Sequence, residues 1–132
     1  MCALSATIRA VRRTPKAVSN PSYIPREFTS EPHGFGKLPD LAWPPADDSK
    51  LAQALASRIQ HKQCYAIRQA IIRRYGSEGV AGYIRDSKGK VTDQFRRALR
   101  GEAVLQPRDL AYAIHHFGDD LDASSLLAGA NA

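Results

Sequence analysis

Seven of the eight prolines, Pro15, Pro21, Pro25, Pro32, Pro39, Pro44 and Pro45, precede residue 46, and only Pro107 follows. Proline fixes φ and removes a backbone donor, so residues 1–45 cannot hold a long helix or a central strand. Too few contiguous apolar positions lie between these prolines to offset the entropy of ordering them. Residues 1–46 are therefore expected to form an extended, disordered, basic and Pro-rich arm, with Leu41 and Trp43 the residues most suited to dock at its end. A compact domain is expected over residues 47–128. Its roughly 80 residues are enough for a helical bundle without covalent staples.

Two cysteines are present in the 132 residues, Cys2 in the arm and Cys64 on an expected helix. Neither a disulfide framework nor a zinc site is indicated, and cytoplasmic residence is the expectation. No run of about 18 apolar residues occurs, so no membrane span is expected. Residues 1–19 carry Arg9, Arg12, Arg13 and Lys16 without an acid. This composition suits either an organellar targeting segment or a basic arm lying along a polyanion, and the charge of the rest of the chain favours the arm.

Past Asp47 and Asp48, either of which can cap a helix, apolar residues recur at Leu51, Leu55, Ile59, Ile67, Ile71 and Tyr75 among several alanines. That spacing is helical. His61-Lys62-Gln63 interrupts the stripe, which leaves one long helix or two joined near residue 61. Gly76 closes it behind Arg73 and Arg74. Ser77 is expected to cap a short helix from Glu78 to about Asp86, with Val80, Ala81 and Ile84 facing inward. Ser87-Lys88-Gly89-Lys90 reads as a turn. Thr92 caps the next helix, through Arg100, which buries Phe95, Ala98 and Leu99. Pro107 starts another at a position that needs no donor, with Leu110, Ala113, Ile114 and Phe117 as its stripe. A last turn is expected from Asp122 to Leu127. The fold class is all-α, a bundle of about four to five helices.

Charge is spread unevenly over these helices. Residues 50–100 hold twelve Lys and Arg against Glu78, Asp86 and Asp93, a net of +9, whereas residues 101–132 hold one Arg against five acids. A basic block on a helical core is the footprint of a polyanion-binding domain, and clustered cations gain by displacing counterions from phosphates.

The unit from Gly76 to Gly101 reads as helix, turn, helix, with a basic second helix. Val80-Ala81 followed by Ile84, then Val91-Thr92, then Arg100-Gly101, then the stripe Leu110 to Phe117, resembles the lambda-repressor-like (Xre-type) helix-turn-helix family, which includes small phage lysogeny regulators. The resemblance covers about Ala66 to Gly118. The turn Arg85–Lys90 is longer than the family's usual one by about four residues, and the second helix has Phe95-Arg96 where a polar–apolar order is more usual. The resemblance implies a transcription regulator, such as a repressor, that binds double-stranded DNA at the nucleoid, typically as a homodimer. In such a motif the second helix enters the major groove. Thr92, Gln94, Arg96, Arg97 and Arg100 are then the base-reading candidates, because Gln pairs bidentately with adenine and Arg with guanine. Asp93 fits helix capping better than base reading. Ser77, Arg85, Lys88 and Lys90 are the phosphate-binding candidates. For a dimer, the available apolar surfaces are Leu51, Leu55 and Ile59, or Leu121, Leu126 and Leu127.

Other readings are weaker. His115 and His116 are adjacent on a helix and point about 100° apart, and His33 and His61 lie elsewhere, so no metal site or cofactor is expected. Cys64 has no evident activating partner and suits buried packing. Gly34-Phe35-Gly36 lacks the strand-to-helix setting of a phosphate loop. Tyr83 and Tyr112 read as core edges. With no carboxylate pair or triad, an enzyme is the least supported class. Two alternatives stay open: a helical protein–protein module such as an antirepressor or adaptor, and a sequence-neutral nucleic-acid binder.

Overall fold

The computed structural model describes residues 23–121. They form four α-helices: α1 (Leu51–Tyr75), α2 (Gly79–Asp86), α3 (Asp93–Leu99) and α4 (Pro107–Phe117), with no strand among the described residues. The fold is all-α, with single 3₁₀ turns at Pro25–Phe28, Pro32–Gly34, Asp48–Lys50, Gly76–Glu78 and Gly118–Asp120. The basic stretch Arg9 to Lys16, Cys2 and the expected turn from Asp122 to Leu127 lie outside the described residues.

Helix α1 is the spine. Its 25 residues run unbroken through His61-Lys62-Gln63, where His61 turns inward onto Gly36 N and Lys62 donates to Pro39 O. The expected apolar stripe holds only in the second half, where Ile67, Ala70 and Ile71 are buried. In the first half Leu51 and Leu55 remain 46% and 45% exposed, and the buried face is Ser57, Gln60, His61 and Cys64. These residues keep the three- and four-residue spacing of a helix face, but in polar side chains. Ser57 Oγ donates back to Gln53 O at 2.8 Å. Gln60 uses its whole amide: Nε2 donates to Ala98 O (3.0 Å) and Ala103 O (2.9 Å), and Oε1 accepts from Leu105 N (2.9 Å). One side chain thus fastens the α3–α4 connection to the spine and satisfies Ala103 O and Leu105 N, which burial would otherwise leave costly, while Ala98 O also accepts from Gly101 N at 3.0 Å.

The expected boundary at residue 47 does not hold for the described part of the arm. Residues 23–46 are folded onto α1. Phe35 is 1% exposed and part of the core, Pro25, Thr29, Gly34 and Gly36 are buried, and Leu41 and Trp43 pack against the core as expected. The prolines do not prevent this, because they open 3₁₀ turns at Pro25 and Pro32, positions where a fixed φ helps and no donor is needed. Gly36 N donates to His61 Nδ1 at 2.8 Å, and Arg68 Nε donates to Gly36 O at 3.2 Å. Gly36 has φ +71, and a Cβ there would lie 2.5 Å from Leu99 O, so the segment approaches α3 as closely as backbone allows. Its neighbour Phe35 is thereby set against the His61 ring, with centroids 5.4 Å apart.

At the other end, Tyr83 is fully buried at the centre of a ring cluster with Tyr75, Phe95, Tyr112, His116 and Phe117, with centroids 5.1–6.2 Å from its own. Tyr83 is thus a core centre rather than the expected core edge. Helix α2 begins at Gly79, after the turn that contains Ser77, and Ser77 makes no capping bond. Its inward face also differs from expectation: Gly82 and Tyr83 are buried, Val80 and Ile84 are half-buried, and Ala81 faces solvent. The small residue at the close approach is Gly82, where a Cβ would lie 3.0 Å from the Tyr75 ring. Helix α4 starts at Pro107 as expected and buries Ala113 and Phe117, but Ile114 is 43% exposed, its place inward taken by Asp109 and the half-buried Leu110 and Tyr112.

Candidate nucleic-acid interface

Helices α2 and α3 each pack chiefly on α1, and they meet through the Tyr83 and Phe95 rings, 5.5 Å apart. The segment between them is pinned from within. Ser87, 2% exposed, donates through Oγ to Ile84 O (2.7 Å) and accepts from Val91 N (3.1 Å). Val91 is buried as the apolar residue before α3, and Phe95, Ala98 and Leu99 anchor that helix. The turn then throws Lys88 and Lys90 outward. Lys88 holds φ +55, a conformation uncommon for a side-chain-bearing residue. Thr92 has the extended backbone of an N-cap (φ −122, ψ −175), yet its hydroxyl makes no capping bond.

The candidate residues fall into two groups. Thr92, Arg97 and Arg100 are exposed along α3 and its end, and Gln94 and Arg96 are half-buried on the same helix. Arg96 Nε is shielded from solvent without an acceptor among the described residues. Lys88, Lys90 and Arg96 have no acid within ion-pair distance among the described residues. Arg85 differs from the expected phosphate contact. Its Nη1 lies 2.6 Å from Glu78 Oε2 and its Nε 3.6 Å from Asp86 Oδ1, and these carboxylates hold its pKa up. Arg97 and Arg100 share Glu102, at 4.0 and 2.8 Å. Ser77 lies beside Glu78, exposed, in the turn before α2.

Much of the basic block serves the fold. Arg74 donates to His116 O (3.0 Å), pairs with Asp120 (2.7 Å) and lies 5.1 Å over the Phe117 ring, while Arg73 donates to Asp120 O (2.6 Å). Asp120 of the acidic end thus closes α4 against α1, with Arg73 and Arg74 supplying the cations that a helix C-terminus favours. Lys62 donates to Pro39 O (3.0 Å), near Asp40 at 3.7 Å. Cys64 is fully buried and its thiol is pushed up to about 12 by that burial, so no thiolate forms at neutral pH.

Sequence reasoning missed the connections that shape this surface. Gln60, Ser87 and Gly101 hold the loops before and after α3; Gln60 belongs to no recognisable motif, and Ser87 and Gly101 were read only as a turn residue and a helix end. A glutamine and a histidine interrupting an otherwise apolar helix face were the available signal for the first contact. No helix among the described residues is long and apolar enough to cross a membrane. Comparisons with protein-family models, curated proteins and solved structures give no match, so the resemblance to a helix-turn-helix family rests on the residues alone.

Proposed function

We propose that the chain binds double-stranded DNA through α3 and the turn before it, as a helix-turn-helix transcription regulator. The observation that carries this reading is a cluster. Lys88, Lys90 and Arg96 have no acid within ion-pair distance among the described residues and sit together on or beside one short helix. Lys62, Arg68, Arg73 and Arg74 are bound to protein groups, and Lys50 and Arg58, also without an acid in reach among the described residues, lie apart in sequence, at or near the start of α1. Clustered unpaired cations on a rigid mount gain most from phosphates, since counterion release then requires no internal pair to break. Gln94 and Arg96 serve as base readers, and Lys88 and Lys90 as phosphate contacts. Arg85 is a weaker phosphate candidate, because contact would compete with Glu78 and Asp86.

Half-site doubling through a homodimer fits the first turns of α1. Leu51 and Leu55 are large apolar residues left exposed there, and Ile59 is half-buried beside them. Of the other candidates, Leu121 is 7% exposed and already packed in its own core, and Leu126 and Leu127 lie outside the described residues. The same exposed leucines favour the second reading, a helical protein-interaction module.

The test is binding to selected and random duplexes across a salt series. Arg96→Ala and Gln94→Ala are expected to lose roughly 1–3 kcal/mol of discrimination between the two duplexes. Lys88→Ala is expected to weaken both equally. Equal losses on all duplexes from all three variants would abandon base reading by α3. No binding to any duplex would favour the protein-interaction module.

A further inference from the structure

We propose that a hollow between the N-terminal segment and the end of α3 is a binding site for a single phosphate group. The cavity has a volume of about 50 Å³ and is lined by Arg26, Pro32, His33, Phe35, Lys37 and Arg100. That is room for one small tetrahedral anion. Three lining residues are cations and a fourth is a histidine; none is an acid.

The cations are held by the fold. Arg26 N donates to Gly101 O at 3.0 Å. Gly101 has φ +77, and a Cβ there would lie 2.7 Å from the Phe35 ring and 2.8 Å from Arg26 Cβ. Only glycine allows this contact, so the two walls of the hollow are locked to each other. Lys37 is placed by the turn it follows, its N–H donating to Gly34 O at 2.9 Å. Glu102 positions the guanidiniums from outside the lining: its Oε2 lies 2.8 Å from Arg100 Nε and 3.7 Å from Arg26 Nη1.

Charge at this point is in surplus. Arg97 reaches the same carboxylate at 4.0 Å, and the half-buried Arg68, its pKa lowered by burial, lies near enough to feel the Arg100 charge as a smaller effect. Glu102 thus stands against Arg26, Arg97 and Arg100, with Arg68 close behind. A carboxylate with two oxygens cannot occupy the five donors of each guanidinium. The unused donors of Arg26 and Arg100, with the ammonium of Lys37, match the several acceptor oxygens of a phosphate. A concave surface with one sign of charge also focuses potential toward its opening. The inference moves Arg100 from base reading to phosphate binding, and it stands whether or not α3 reads bases.

Phosphate can come from a nucleic-acid backbone or from a free or terminal phosphate. The test follows the arginine Nε resonances of the full chain during titration with inorganic phosphate at low, matched ionic strength. The expected result is a saturable shift at Arg26 and Arg100, with affinity at least five-fold weaker in Lys37→Gln and in Arg26→Gln and unchanged in Lys50→Gln. Lys37 is exposed, so its variant tests the hollow even if Arg26→Gln fails to fold. A shift that never saturates, or an equal loss in Lys50→Gln, overturns the site. The duplex arm then separates the sources. If a backbone phosphate is the occupant, inorganic phosphate competes with duplex and Lys37→Gln lowers the salt slope by about one. If the occupant is a free or terminal phosphate, Lys37→Gln loses inorganic phosphate and leaves duplex binding intact. Failure of duplex binding altogether, with the saturable phosphate shift retained, would count against the proposed function and leave the hollow standing.

Discussion

The stretch of α1 from Ile67 to Tyr75 and the stretch from Ser57 to Cys64 bury themselves by different means. The first packs Ile67, Ala70 and Ile71 inward and ends against the Tyr83 ring cluster, with Arg73 and Arg74 closing α4 over it. The second buries a serine, a glutamine and a histidine, each tied to backbone at 2.8–3.0 Å. Apolar burial tolerates substitution so long as volume is kept, whereas a buried polar network is stabilising only when every member is satisfied. The ring end is therefore expected to bend under mutation, and the polar end to break.

The sharpest break is Gln60→Leu. Its volume is close to native, but Ala103 O and Leu105 N lose their partner, and Ala98 O keeps only Gly101 N and the Cys64 thiol. At about 1–3 kcal/mol for each buried group left unsatisfied, the expected loss is roughly 3–5 kcal/mol in a urea titration. A loss under about 1 kcal/mol would show that water reaches these groups and that the seam resembles the ring end after all.

The next effect is read by pH. His61 is fully buried, and burial, with Lys62 adjacent, pushes its pKa down to about 4 against the opposing pull of the Pro39 and Leu38 carbonyls. Nδ1 accepts from Gly36 N, so the neutral ring carries its proton on Nε2, which has no hydrogen-bond partner. The unfolded chain takes up a proton below about pH 6.5 that the folded chain refuses until about pH 4. Stability is then full above pH 6.5, falls as pH drops toward 4 and loses no more from this group below that. The whole loss is roughly 3 kcal/mol. His61→Gln should flatten this part of the stability–pH curve; an unchanged slope would assign the acid sensitivity elsewhere.

These two ends also differ in how far the sequence disclosed them. Phe95, Ala98, Leu99, Ala113, Phe117 and the second half of α1 follow ordinary helical periodicity, and they are buried as that periodicity requires. The polar seam was hidden because Gln60 and His61 resemble solvent-facing residues until the backbone groups they bind, in residues 36 and 98–105, are brought alongside. The N-terminal segment was hidden for a related reason. Pro25 and Pro32 exclude long elements but favour short turns, and Phe35 is enough to dock one of them. At the candidate interface the charges were visible, but their pairings were not: Arg74 meets an acid 46 residues away and Arg85 one 7 residues away.

A smaller effect tests whether the ring end bends. Tyr83 Oη is buried without a partner, a polar atom inside an apolar cluster. Burial and the neighbouring Tyr112 raise its pKa, so the phenol stays neutral at any ordinary pH. Tyr83→Phe removes the orphan hydroxyl and keeps the stacked ring, with an expected gain of about 1 kcal/mol. For a domain of this size that is a rise of roughly 4–8 °C in Tm. A fall instead would show that the hydroxyl is satisfied in solution.

The smallest effect separates cations that hold the fold from cations left for a partner. Arg74 is tied to His116 O, to Asp120 and to the face of the buried Phe117 ring, and the Arg74–Asp120 pair itself is exposed at the surface. Arg74→Ala should cost about 1 kcal/mol or less of stability, since exposed pairs and cation–π contacts contribute little each, and leave duplex affinity nearly unchanged. Lys90 is exposed and has no acid within reach among the described residues. Lys90→Ala should leave stability within about 0.5 kcal/mol, yet weaken binding to any duplex and lower the salt slope by about one. The two variants are thus expected to move opposite readouts. If Arg74→Ala weakened duplex binding as much as Lys90→Ala, the whole basic block would act as one diffuse field. The selectivity that supports α3 as the reading helix would then be lost.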